Sequence, residues 1–336
     1  MRERENQDVI LKYFKNGCLS KGDILLASLL KTIPYRLRAK QISGIFSREN
    51  FMPSPDSTAV TIQIPKYSGS NPCALQLKKF IEEKLSSHLI GAYAHGSVGT
   101  GEEVAYSDFD GFVIIKNTSL SDPKKLENVA FLLNESEKIM TAMDPLQHHG
   151  WFILTENDLK DYPEHYLPHQ LWEYAKTLFG DTKLTVHVNT KMDSSGYLKA
   201  YSKFSVHLMR NIKSLNFLRN NYDLKSVLSG FMLLPSIYLQ AKNGKGVFKK
   251  HSFEALKNEI GQEYDIMDEV SAIRKNWHYR PSKLYKKILW RKPFLLSYLF
   301  KKRLSGKPSV ELMQQLNPRF ISRMKSLIQT LDSKIK

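Results

Sequence analysis

Two aspartates, Asp108 and Asp110, stand one residue apart at the head of the segment DFDGFVIIK, residues 108–116. The apolar run behind them is short and rich in β-branched and aromatic residues, which reads as a buried strand. On a strand, side chains two positions apart point to one face, with alpha carbons roughly 7 Å apart. Two carboxylates so placed can share divalent cations. Mg²⁺ prefers oxygen ligands and is typically held by one or two carboxylates together with substrate phosphates. Two such ions about 3.5–4 Å apart can activate an attacking oxygen and stabilise a leaving one. Upstream, Gly96 and Ser97 follow a second apolar run, residues 89–94, and open a turn or short helix. Glycine there lets the backbone approach a phosphate closely, and the amides and the Ser97 hydroxyl can donate to its oxygens.

A proton-accepting third group is less obvious. The next apolar stretch, QHHGWFILT, has no acid inside it, although Asp144 precedes it and His148 and His149 lie at its start. A histidine can accept a proton near neutral pH, which makes His149 the candidate base. Asp144 reads equally as a turn or cap residue ahead of Pro145. Further on, GVFKKHSF places Lys249, Lys250 and Ser252 ahead of a helix, where two cations and a hydroxyl can meet triphosphate oxygens. The competing reading is a helix start with Ser252 as N-cap and exposed lysines.

The elements that must position these residues follow from periodicity. Helical spacing marks residues 6–14, 21–31, 71–87, 122–143, 201–220 and 224–242, and the apolar side of the last is core rather than a cofactor box. Strand patterns mark residues 58–64, 89–94, 108–116, 151–155 and 184–188. Strands alternating with helices predict a mixed sheet backed by helices, an α/β (α+β) class, followed by an all-helical region once strand signals vanish near Gly196. Three parts are expected: a helical segment over residues 1–57, a sheet-containing domain over 58–194, and a helical substrate or partner domain over 195–336, with the boundary in the polar stretch 189–196.

Composition narrows the class. With 336 residues and 42% hydrophobic content the chain can bury real cores. Its start lacks a secretory pattern and no apolar run reaches the ~18 residues of a spanning helix, so no transmembrane segment and a cytoplasmic location are expected. Cys18 and Cys73 are too few for a disulfide framework. Of the net charge of +17, +15 lies between residues 271 and 336, where seventeen Lys or Arg face only Glu311 and Asp332. There KLYKKILWRKPFLLSYLFKKRLSGK interleaves cations with Tyr285, Trp290 and Tyr298. RNA, through phosphate contacts and stacking, and an anionic membrane surface are both possible partners; a solvated helical face is the plain alternative.

Taken in order, strand, Gly-Ser, a short polar segment and Asp-hydrophobic-Asp running into a second strand form a specific signature, here HGSVGTGEEVAYSDFD, residues 95–110. It resembles the DNA polymerase beta-like nucleotidyltransferase superfamily, whose motif is a hydrophobic residue, Gly and Ser, about ten intervening residues, then Asp-hydrophobic-Asp. Within it the chain looks closest to bacterial small-molecule or minimal nucleotidyltransferases fused to a helical domain. The resemblance implies that Gly96 and Ser97 hold a nucleoside triphosphate, ATP or another NTP, that Asp108 and Asp110 hold Mg²⁺, two ions in all, and that a nucleoside monophosphate passes to an acceptor. Similar Lys and Ser positions occur in helical domains of that superfamily, which is what brings Lys249, Lys250 and Ser252 into the expected set. A small-molecule acceptor is the expectation; an RNA end, or a catalytically silent nucleotide-binding or regulatory protein of the same fold, are the alternatives. The chain departs from the pattern in the third carboxylate, missing from the strand that commonly carries it.

Overall fold

The computed structural model describes residues 13–14, 35–48, 52–104, 107–164, 166–189, 195–291 and 301–335. The expected helix over 21–31, and 6–14 apart from Tyr13 and Phe14, which are helical, lie outside the described residues. The fold is α+β, and the described residues fall into two compact units. The first lies within Met1–Tyr162, Tyr174–Thr190 and Lys286–Leu299, the second within Pro163–Glu173, Lys191–Tyr285 and Phe300–Lys336.

In the first unit β1 (Ser57–Gln63) pairs antiparallel with β6 (Lys183–Asn189) as a separate two-stranded ribbon. The main sheet has the order β4-β3-β2-β5, built from β2 (Leu89–His95), β3 (Asp110–Ile115), β4 (Phe152–Thr155) and β5 (Lys176–Gly180). β2 runs antiparallel to β3 and β5, while β3 and β4 are parallel, so the sheet is mixed. A parallel pair needs a crossover, and α4 (Asn117–Leu120) with α5 (Pro123–Met143) supplies it. The inner strands are apolar almost throughout, as strands buried on both faces must be: Ala92, Tyr93, Ala94, Phe112, Val113, Ile114 and Ile115 have no exposure.

Helices on that sheet are started by their own side chains. Asn71 caps α2 (Pro72–Lys84) by accepting from the Cys73 and Ala74 amides, and Asp122 caps α5 by accepting from those of Lys124 and Lys125. Each cap is followed by Pro, whose missing N–H costs nothing in the first turn. α2 buries Cys73, Ala74, Leu77 and Ile81 on one stripe; α5 buries Leu126, Val129, Ala130, Leu133 and Met140. These stripes meet, and α1 (Tyr35–Arg48) packs on α5 as well. Between β2 and β3 lies α3 (Gly96–Thr100).

The second unit is helical: α6 (Ser195–Ser214), α7 (Asn221–Asn243), α8 (Lys249–Ile260), α9 (Asp265–Asn276), the start of α10 (Lys283–Arg291), α11 (Val310–Gln315) and α12 (Pro318–Lys334). The central helix is α7, against which α6, α8 and α9 all pack, and Leu224, Leu228, Phe231, Leu234 and Tyr238 on it are wholly buried. Buried Glu164 fastens the Pro163–Glu173 segment, its carboxylate meeting the His169 ring and accepting from the Tyr197 hydroxyl of α6 at 3.3 Å. Among the described residues no helix is long and apolar enough to cross a membrane.

Candidate functional site

The strand order brings the motif together. Because β2 and β3 are antiparallel, the end of one lies beside the start of the other: His95 is paired with Asp110. α3 opens directly after His95, so Gly96 and Ser97 sit next to Asp110 although polar sequence separates them. β4 runs parallel to β3 with Phe152 opposite Phe112, which puts the residues just before β4, including His148 and His149, at the same sheet end. The structure therefore groups Gly96, Ser97, Asp108, Asp110 and His149.

Gly96 has no substitute. Its φ is +63°, in the left-handed region, and a Cβ added to it would stand 2.4 Å from Asp110 Oδ2. Only a residue without a side chain allows the turn to close against that carboxylate. Ser97 is half-buried and its hydroxyl has no hydrogen-bond partner among the described residues, whereas its carbonyl accepts from Glu102 N at 2.8 Å and holds the loop in shape.

Asp108 does not lie on β3, contrary to the expected strand over 108–116, since the ladder begins at Asp110. Phe109 is paired instead by a side chain: its N–H donates to Gln147 Oε1 at 2.9 Å and its carbonyl accepts from Gln147 Nε2 at 2.8 Å. The Phe109 ring is wholly buried, edge-on to Trp151 at 5.5 Å, and Trp151 donates from Nε1 to Ser136 Oγ on α5. The aspartates on either side of this anchored residue keep side-chain exposures of 14% and 28% for Asp108 and Asp110.

Histidines surround the pair. His149 Nε2 is 3.1 Å from Asp110 Oδ1, His148 N donates to Asp108 Oδ1 at 3.3 Å, and the His148 ring is 3.8 Å from that oxygen. Loss of water alone would lower the His149 pKa, but the hydrogen bond and charge of Asp110, then Asp108 and the Gly150 carbonyl, outweigh it and push the ring up to about 9. One ring nitrogen thus faces Asp110 and the other lies 3.3 Å from the Gly150 carbonyl. Desolvation opposes ionisation of Asp110, yet His149 and His95 hold its carboxyl below the usual range against the repulsion of Asp108. Burial lowers the pKa of His95 itself, against the opposing pull of Asp110, and its Nδ1 has no hydrogen-bond partner among the described residues.

Asp144 is wholly buried at the end of α5, its carboxylate accepting from Leu146 N at 3.0 Å, so it serves the turn. Lys249, Lys250 and Ser252 belong to the second unit, in the first turn of α8; the cap position is Phe248, and Ser252 is fully buried with its hydroxyl donating to the Lys249 carbonyl at 2.6 Å. In the basic tail, Tyr285 is wholly buried while Lys283, Lys286 and Lys287 are exposed. The Trp290 side chain and Tyr298 lie outside the described residues. Among the described residues no group of three or more His, Cys, Asp or Glu side chains is disposed to hold a metal ion. A cation held at Asp108 and Asp110 would have two carboxylates from the protein and would take its remaining ligands from elsewhere, as Mg²⁺ commonly does from phosphates and water.

No protein-family model and no curated protein sequence matches the chain. Among solved structures it is similar to spectinomycin adenyltransferase AAD(9) from Enterococcus faecialis, crystallised with ATP and spectinomycin, at 14% identity and a TM-score of 0.36, over 66% of this chain and 98% of that one.

Sequence reasoning overlooked Gln147 and His95. Gln147 gives no local signal, because its bonds to Phe109 join residues far apart in sequence. His95 stands where the resembled motif has a hydrophobic residue, and that exchange was a visible signal.

Proposed function

We propose that this chain is a Mg²⁺-dependent nucleotidyltransferase that moves a nucleoside monophosphate from ATP to a hydroxyl or phosphate of a small-molecule acceptor. One observation carries the reading: of two carboxylates flanking an anchored residue, that of Asp110 meets a Gly-Ser turn so closely that the glycine has no room for a Cβ. Hard oxygen donors in that number, beside a loop open to phosphate oxygens, fit Mg²⁺ carried in with a triphosphate.

Asp108 and Asp110 would hold the cations, which when bound neutralise triphosphate charge and lower the pKa of an attacking hydroxyl. The Gly96 backbone admits the phosphates, and the Ser97 hydroxyl donates to one of their oxygens. With the triphosphate fixed, the acceptor oxygen attacks the α-phosphorus in line and pyrophosphate leaves, so most of the rate gain comes from positioning and charge stabilisation. His149 occupies one oxygen of Asp110 and offsets the charge of the pair.

The test uses ATP labelled at the α- or the γ-phosphate, with Mg²⁺ or with EDTA, and a fractionated pool of small metabolites as acceptors. Label from the α-position should reach the product, γ-label should leave as pyrophosphate, and EDTA should stop both. Transfer of the γ-label to product would replace this reading with phosphoryl transfer.

A further inference from the structure

The peptide between the two carboxylates is held by a side chain where a strand would ordinarily be. β3 joins its ladder only at Asp110, so the N–H and carbonyl of Phe109 have no strand partner. Gln147 answers both, and its Nε2 also donates to the His149 carbonyl at 2.7 Å. The side chain is 3% exposed. Burying an amide is costly unless its hydrogen bonds are made, and here both hydrogens and the oxygen are used.

We infer that Gln147 is a positioning residue of the site: its amide fixes the direction in which Asp108 and Asp110 leave the backbone and ties the loop carrying His148 and His149 to them. A primary amide is the group that offers a donor and an acceptor side by side, as a strand peptide does. Glu at this position would turn a carboxylate toward two carbonyl oxygens, Asn would be one methylene short, and Met would fill the volume with no hydrogen bond. This inference rests on the nucleotidyltransferase reading of the carboxylate pair.

The experiment compares Gln147→Met with Thr177→Val, which removes a buried bond from Thr177 Oγ1, on β5, to the Ile64 carbonyl, with β2 lying between β5 and β3. Three quantities are read on the full chain, well below both melting points: hydrogen exchange of the Phe109 amide, Mn²⁺ binding in the presence of ATP, and kcat and KM for ATP. In Gln147→Met the Phe109 amide should exchange about tenfold faster and Mn²⁺ should bind about tenfold more weakly, the size expected for one or two lost hydrogen bonds. The fall in turnover should appear in kcat rather than in KM. Thr177→Val should leave all three within about twofold, as sites with no shared partners do. If Gln147→Met does not fold, Gln147→Asn, which keeps the amide but is one methylene short, carries the same comparison. Metal binding and kcat that match Thr177→Val would reduce Gln147 to a structural residue and overturn the inference. A wild-type chain with no Mg²⁺-dependent transfer and no Mn²⁺ binding would instead sink the functional reading on which it rests.

Discussion

In the proposed reaction Asp108 and Asp110 must be charged, while the fold tolerates the loss of that charge. Both side chains are partly open, and two like charges so close repel one another unless a cation lies between them. Asp108→Asn should therefore lower turnover by about 10²-fold or more, the usual cost of removing an electrostatic contact made to the transition state, with a change in unfolding free energy of about 1 kcal/mol or less. Steady-state assays alongside urea titrations check both halves. Gly96 is the opposite case. Its left-handed φ and the 2.4 Å approach to Asp110 Oδ2 predict that even Gly96→Ala costs roughly 1–2 kcal/mol in stability and weakens ATP binding, as melting and calorimetry can show. Unchanged ATP affinity would move the phosphate site elsewhere. Both positions were visible in the sequence, because residue type, order and strand context coincide there. The ring of His149 was visible too, as the candidate base, but its contact with Asp110 was not. That pairing follows from the parallel docking of β4, which no local pattern encodes.

Among the elements, the long amphipathic helices α2 and α5 and the apolar strands β2 and β3 were legible, since burial on a periodic face repeats along the chain. β5 was not. Its five residues carry only Leu178 and Phe179 as large apolar groups, and Thr177 is buried because its hydroxyl reaches the Ile64 carbonyl. Nor was it legible that β1 and β6 form a ribbon of their own, because pairing partners far apart in sequence leave no mark on either strand. The turn closing β4 makes a pH prediction. Asp158 Oδ2 accepts from the Thr155 amide and hydroxyl at 2.6 and 2.8 Å, yet burial dominates and pushes its carboxyl up to about 6. A carboxyl raised above its unfolded value binds protons more tightly in the folded chain. Its contribution to stability is complete below about pH 4 and is lost as pH rises through 6. Wild type should lose on the order of 1–2 kcal/mol on this account between pH 4 and 7. Asp158→Asn, which keeps an acceptor for Thr155, should flatten that part of the curve in denaturant titrations. An unchanged slope would mean the carboxyl titrates normally.

For the whole molecule the governing quantity is the net charge of +17 and its concentration at one end of the chain. Lys283, Lys286 and Lys287 lie within one turn of α10, exposed, with no ion-pair partner among the described residues. Like charges three or four positions apart on a helix destabilise by roughly 0.2–0.5 kcal/mol per pair, and salt screens them. Melting temperature should therefore rise from low to moderate NaCl, and Lys286→Gln with Lys287→Gln should raise the low-salt value while shrinking that rise. A melting temperature indifferent to salt would show the charge already neutralised. The path of the chain carries a different kind of consequence. Pro163–Glu173 belongs to the helical unit although both of its flanks belong to the sheet unit. A gene cut after residue 190 would carry Glu164 and His169 away from Tyr197, leaving a buried carboxylate without the hydroxyl that meets it. The two units are thus spliced through one another, and end-to-end exchange of cassettes, in the laboratory or in evolution, would break both at once.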